Sequence, residues 1–180
     1  MPWSKPVTEQ FSLVNRFTAQ ENNYYGPFNT LLFELFPPSE NYQVAPQYGS
    51  GYGSHDTACY VVHKRQVPIF FVQLKMYDSL KNLATRALTH NQMRGHFREF
   101  LPGPIPMPKL FGVSFFGTQF CVYALTTETR IFEPNITIED PHIANDVAPE
   151  TRWAFDILNN EGEVKLREVV TEVKAMAADL

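Results

Sequence analysis

Residues 67–75, VPIFFVQLK, decide how the chain is read. β-Branched and aromatic residues fill the stretch as far as Val72, and it closes on Gln73 and Lys75, which lie two residues apart and so on one side of a pleated strand. The stretch reads as a buried strand. The preceding run, HDTACYVVHK (55–64), is also strand-like and is separated from it by only a few residues around Lys64–Gln66, which predicts a β-hairpin. A trial register with His63 opposite Pro68 puts Asp56 opposite Lys75 and Ala58 opposite Gln73. Asp56, Gln73 and Lys75 then share one face at the open end of the hairpin. A slip of one residue moves Asp56 to the other face.

Outward from this hairpin the pattern alternates between helix and strand. VTEQFSLVNRF near the start is loosely helical, and PFNTLLFELF (27–36) predicts a short helix with Pro27 near its start and Pro37–Pro38 as its stop. NYQVAPQY reads as a strand. GSGYGS lacks the Gly-Lys-Ser/Thr ending of a phosphate-cradling P-loop and is taken as a connection. After the hairpin, a long helix is expected from Ser79, as cap, to about Leu101, where LPGPIPMP must end it. Residues 109–134 alternate as two or three further strands. Two terminal helices are expected, one from Pro149 through ETRWAFDILNN and one over EVKLREVVTEVKAMAADL, with Val164, Leu166, Val169, Val170, Val173 and Ala177 as its apolar stripe. The expected fold is a single α/β (α+β) domain over 1–180, a mixed central sheet flanked by helices.

Composition narrows the classes further. The 180 residues are 44% hydrophobic, enough for an ordinary core. The start carries no secretory apolar run, and no stretch approaches the ~20 apolar residues of a membrane span, so a soluble, intracellular chain is expected. Cys59 and Cys121 sit in strand-like runs and read as packed, reduced thiols. The five histidines have no zinc spacing, and GVSFFG is not a nucleophile elbow. The net charge is −4, unevenly spread. Residues 60–109 hold eight basic residues against two acidic ones, and residues 128–180 hold five against twelve. A basic middle is compatible with a phosphate-binding surface or with a solvated face. Arg86, His90 and Arg94 recur at i, i+4 and i+8, forming a basic stripe on the long helix.

A carboxylate, an oxygen ligand and a lysine together suit a hard divalent cation and an attacking water. Asp56, followed by Gln73-Leu74-Lys75 at the end of the next strand and then a long helix, resembles the PD-(D/E)XK nuclease superfamily over about residues 27–125. HNQMRGHF places Gln92 and Arg94 much as that superfamily's helical Gln-containing motif does, and Glu34 matches a glutamate some members carry on their first helix. The C-terminal extension, 126–180, lies outside that core, and its DVAPETRW and terminal helices resemble those of small fungal proteins with the same order of motifs. The resemblance implies a restriction-endonuclease-like fold and Mg²⁺-dependent phosphodiester hydrolysis, with Mn²⁺ as an alternative ion. Asp56, Gln73 and Glu34 would hold the metal. Lys75 would position the water, and Lys81, Arg86, Gln92 and Arg94 would contact nucleic acid. Gln73 departs from the usual Glu or Asp, which removes one negative charge from the site. Three readings stay open: an active nuclease, a non-catalytic binding or interaction protein of the same fold, and a small-molecule enzyme using the same sheet-end cleft.

Overall fold

The computed structural model describes residues 3–17, 19–48, 58–100, 105–135, 137 and 145–180. Four helices, α1 (Lys5–Ser12), α2 (Tyr25–Leu35), α3 (Leu83–Phe100) and α4 (Asn160–Met176), surround one seven-stranded mixed sheet. Its strands are β1 (Tyr42–Tyr48), β2 (Ala58–Lys64), β3 (Val67–Lys75), β4 (Lys109–Phe116), β5 (Gln119–Thr126), β6 (Phe132–Glu133) and β7 (Phe155–Asp156). The order runs β1-β2-β3-β4-β5-β6, with β7 pairing the other end of β5. All neighbours are antiparallel except β3 and β4, which α3 joins as a parallel crossover.

The parallel pair explains why VPIFFVQLK is so apolar. Parallel strands are covered on both faces, so both sets of side chains are buried. On one face Phe36, just past α2, packs on Phe70 at 5.3 Å, and Phe28 of α2 on Phe115 at 4.5 Å. On the other, Phe97 of α3 meets Phe71 at 4.7 Å and Trp153 meets Phe116 at 5.1 Å. Residues 69–74 and 110–116 are buried throughout.

The expected hairpin is present, turning at Arg65 and Gln66 with φ of 48° and 68°, the two left-handed positions of a type I′ turn. The trial register holds only next to the turn. His63 does pair with Pro68, but a bulge leaves Ile69 unpaired and shifts the rest by one, so Cys59 rather than Ala58 stands opposite Gln73.

Three helical expectations are revised. α3 begins at Leu83, after a 3₁₀ turn over Tyr77–Lys81, and its cap is Asn82, whose Oδ1 accepts from Thr85 N at 3.0 Å; Ser79 lies inside the 3₁₀ turn. The segment from Pro149 makes only a short 3₁₀ turn, Glu150–Trp153, before joining the sheet as β7, because Trp153 and Phe155 are drawn to opposite faces of the strands they cover. On α4, Val164 is 47% exposed, while Leu166, Val169, Val170, Val173 and Ala177 are buried as expected. Asn159 Oδ1 caps α4 at Gly162 N (2.7 Å), and Lys64 Nζ reaches Ala177 O at its far end (2.7 Å), where a cation suits the helix dipole. Among the described residues no helix is long and apolar enough to cross a membrane.

The central pair is packed around one missing side chain. Gly112 stands opposite Phe71, and a Cβ there would lie 2.4 Å from Phe71 Cζ. The Phe71 ring is itself hemmed in by Phe97, Phe100 and His96, so it has nowhere to move. Gly112→Ala is expected to cost about 1–3 kcal/mol in urea unfolding. Gly95→Ala, in α3 with nothing within 4 Å, is expected to be neutral or stabilising. Equal stability of Gly112→Ala and wild type would contradict this packing.

Candidate functional site

Gln73 is not at an open strand end. It is 0% exposed and faces α3, where its Nε2 donates to Gln92 Oε1 at 2.8 Å. Its own carbonyl oxygen, Oε1, is buried without a hydrogen-bond partner. Lys75 lies on the same side of β3, half-buried, and its backbone carbonyl accepts from Gly117 N at 2.8 Å. The structure therefore brings Gln73 and Gln92 together, with Lys75 two residues along on the same face of β3. Asp56 lies outside the described residues.

Glu34 is not part of this group. It sits on α2, which covers the opposite face of the sheet, and pairs with Arg167 of α4 at 3.3 Å; Arg167 also holds Glu163 at 2.9 Å. Among the described residues no group of three or more His, Cys, Asp or Glu converges. Gln73 offers one neutral oxygen, whereas Mg²⁺ is ordinarily anchored through carboxylates. The described donor set does not fit a hard divalent ion.

The residues expected to touch nucleic acid are placed unexpectedly. Arg86, His90 and Arg94 form a stripe as the spacing implies, but it turns inward: Arg86 is 6% exposed and His90 4%. Arg86 spends its guanidinium on Asp146 Oδ2 (2.6 Å), Ala148 O (2.8 Å) and Leu80 O (2.9 Å), and so pins the 145–153 segment onto α3. Lys81 pairs with Glu150 at the surface. Lys109 pairs with Glu172. The basic middle and the acidic C-terminal part are thus partly matched to each other within the fold. Arg94 stacks over Phe132 at 4.1 Å, and burial followed by the nearby Arg98 lowers its pKa.

Sequence reasoning missed a second polar cluster between α3 and β5. Trp153 Nε1 donates to Ser114 Oγ at 3.3 Å beneath the sheet-covering 3₁₀ turn. His90 Nδ1 lies 3.3 Å from both Tyr123 Oη and an Arg152 terminal nitrogen, and Arg152 also donates to Asn135 O (3.2 Å) and Thr137 Oγ1 (2.8 Å). Because a guanidinium only donates, Nδ1 must accept and Nε2 carries the proton. Nε2 is buried with no partner. Tyr123 stands in no motif, DVAPETRW around Arg152 implies no role for it, and His90 enters only as a member of a basic stripe. Cys121 is buried beside this cluster, and burial pushes its thiol up to about 12, so it is no thiolate nucleophile.

Comparison with family models, with curated proteins and with solved structures finds no match to the chain. Its chemistry is therefore read from its own residues.

His90 gives a pH signature. Burial first, then the charges of Arg152 and Arg94, lower its pKa from 6.5 to about 4. The unfolded chain takes up the proton near 6.5 and the folded chain only near 4, so stability is held above 6.5 and lost as pH falls toward 4. The unfolding free energy is expected to drop by about 2 kcal/mol between about pH 7 and about pH 5 on this account. In His90→Gln the drop should shrink to the remainder left by His63, whose pKa burial also lowers. An unchanged drop in that variant would contradict the assignment.

Proposed function

We propose that the chain is a non-catalytic binding or interaction protein built on a PD-(D/E)XK-like core. The order α2, β1–β3, crossover α3 and β4 supports that core, with Gln73 and Lys75 on β3 and Gln92 on α3 as the resemblance implies. The observation that carries the non-catalytic reading is the Gln73–Gln92 amide pair. A catalytic carboxylate at this point would stand ionised toward the metal; here a neutral amide, fully buried, ties the central strand to its covering helix. Two of the expected nucleic-acid contacts, Arg86 and Lys81, already hold acidic partners from the C-terminal segment.

One observation favours the nuclease as the second reading. Gln73 Oε1 is a buried acceptor with no partner, on the same strand face as Lys75, and such an atom is often a place where an ion or water belongs.

Calorimetric titration of Mg²⁺ and Mn²⁺ into wild type and Asp56→Ala, beside cleavage assays on single- and double-stranded DNA and RNA, separates the two. The binding reading expects neither saturable heat nor cleavage from the folded protein. Metal binding that vanishes in Asp56→Ala, together with cleavage that vanishes in Lys75→Ala, would overturn it.

A further inference from the structure

We propose that Arg94 and Arg152, bracketing His90, form a binding site for a phosphate group, either inorganic phosphate or a small phosphomonoester. This does not rest on the reading above, since Gln73 and Lys75 take no part in it.

This fold gives its other partly or fully buried arginines carboxylate partners. Arg86 is bonded to Asp146, and Arg167 to Glu34 and Glu163, as burial of a guanidinium demands. Arg94 and Arg152 are both partly buried, and neither has a carboxylate partner among the described residues. Arg94 Cζ lies over the Phe132 ring at 4.1 Å from its centre, a contact that supplies no acceptor for the guanidinium N–H groups. Among the described residues the partners of Arg152 are neutral: the His90 ring nitrogen, a backbone carbonyl and a hydroxyl.

The two arginines belong to one cluster. Phe132 under Arg94 packs against His90 at 6.4 Å and Tyr123 at 5.9 Å, while Arg152 bonds His90 directly. Both charges act on the His90 ring, and among the described residues no acidic group acts on it with them. The cluster also holds a buried donor with no partner among the described residues, the Nε2–H of His90, on a ring 4% exposed. Two positive charges and an orphaned N–H call for a ligand that brings negative charge and several acceptor oxygens. A phosphate dianion matches both, because its oxygens can accept from N–H groups of two guanidiniums and from an imidazole N–H together. A monocarboxylate would leave one of the two charges uncompensated.

The test titrates inorganic phosphate and phenyl phosphate into the full chain at low salt, by calorimetry. An imidazole ¹H–¹⁵N spectrum follows the His90 Nε2–H. Saturable binding of both is expected, with movement of the Nε2–H signal, about tenfold weaker binding in Arg94→Gln and at least as large a loss in Arg152→Gln. Arg98→Gln, on the exposed side of the same helix, should stay within about twofold of wild type. If Arg152→Gln does not fold, Arg94→Gln alone carries the decision. A folded wild type that does not bind phosphate overturns the proposal, as does undiminished binding by Arg94→Gln. Binding of an oligonucleotide without terminal phosphate, where neither small phosphate binds, also overturns it.

Discussion

The burial of β3 on both faces constrains everything else in this molecule. A strand covered by α2 on one side and α3 on the other has no water to offer its polar side chains, so each one must find a partner within the fold or remain unsatisfied. Gln73 meets Gln92 across the gap to α3, and Ser114 on the parallel partner strand meets Trp153. The helix answers with a polar inner face, Arg86, Thr89 and His90, where an ordinary amphipathic helix would present only apolar residues. Polar contacts with α3 thus fix its position on the sheet together with the aromatic stack of Phe71 and Phe97.

The same constraint organises the charges. The excess of basic residues in the middle of the chain and of acidic ones near its end reads along the sequence as a surface asymmetry, but the fold lays one against the other. Arg86 takes Asp146, Lys81 takes Glu150 and Lys109 takes Glu172. Of these, the Arg86 contact matters most, because its guanidinium is buried and is also held by Ala148 O and Leu80 O, whereas an exposed pair is worth about 1 kcal/mol or less. The 145–153 segment is therefore bound into the domain through α3.

Much of the fold was legible because its signals are local. The hairpin, the short helix over 27–36, the long helix after the hairpin and the strands over 109–134 all follow from period, turn residues and prolines. The misses came from tertiary pull: Trp153 and Phe155 spend their residues on packing against the sheet, so a helical pattern from Pro149 yields a single turn and a short strand. The bulge at Ile69 was equally invisible, since nothing in an apolar run marks where one residue will be skipped. Of the site, the shared strand face of Gln73 and Lys75 was readable from their spacing, while Gln92 entered only through the resemblance of its helix motif. The direction each side chain faces was not: Glu34 turns to Arg167 on the far layer, and the basic stripe turns inward, because composition does not distinguish a solvated charge from a buried, paired one.

Gln73 and Gln92 act as one structural pair between strand and helix. The most direct measurement is a double-mutant cycle with Gln73→Met and Gln92→Met, read by urea unfolding. The account predicts that the single substitutions destabilise and that the double costs less than their sum, by about 0.5 kcal/mol or more. Strictly additive, near-neutral effects would contradict it and would return Gln73 to the role of a site residue held in place for chemistry.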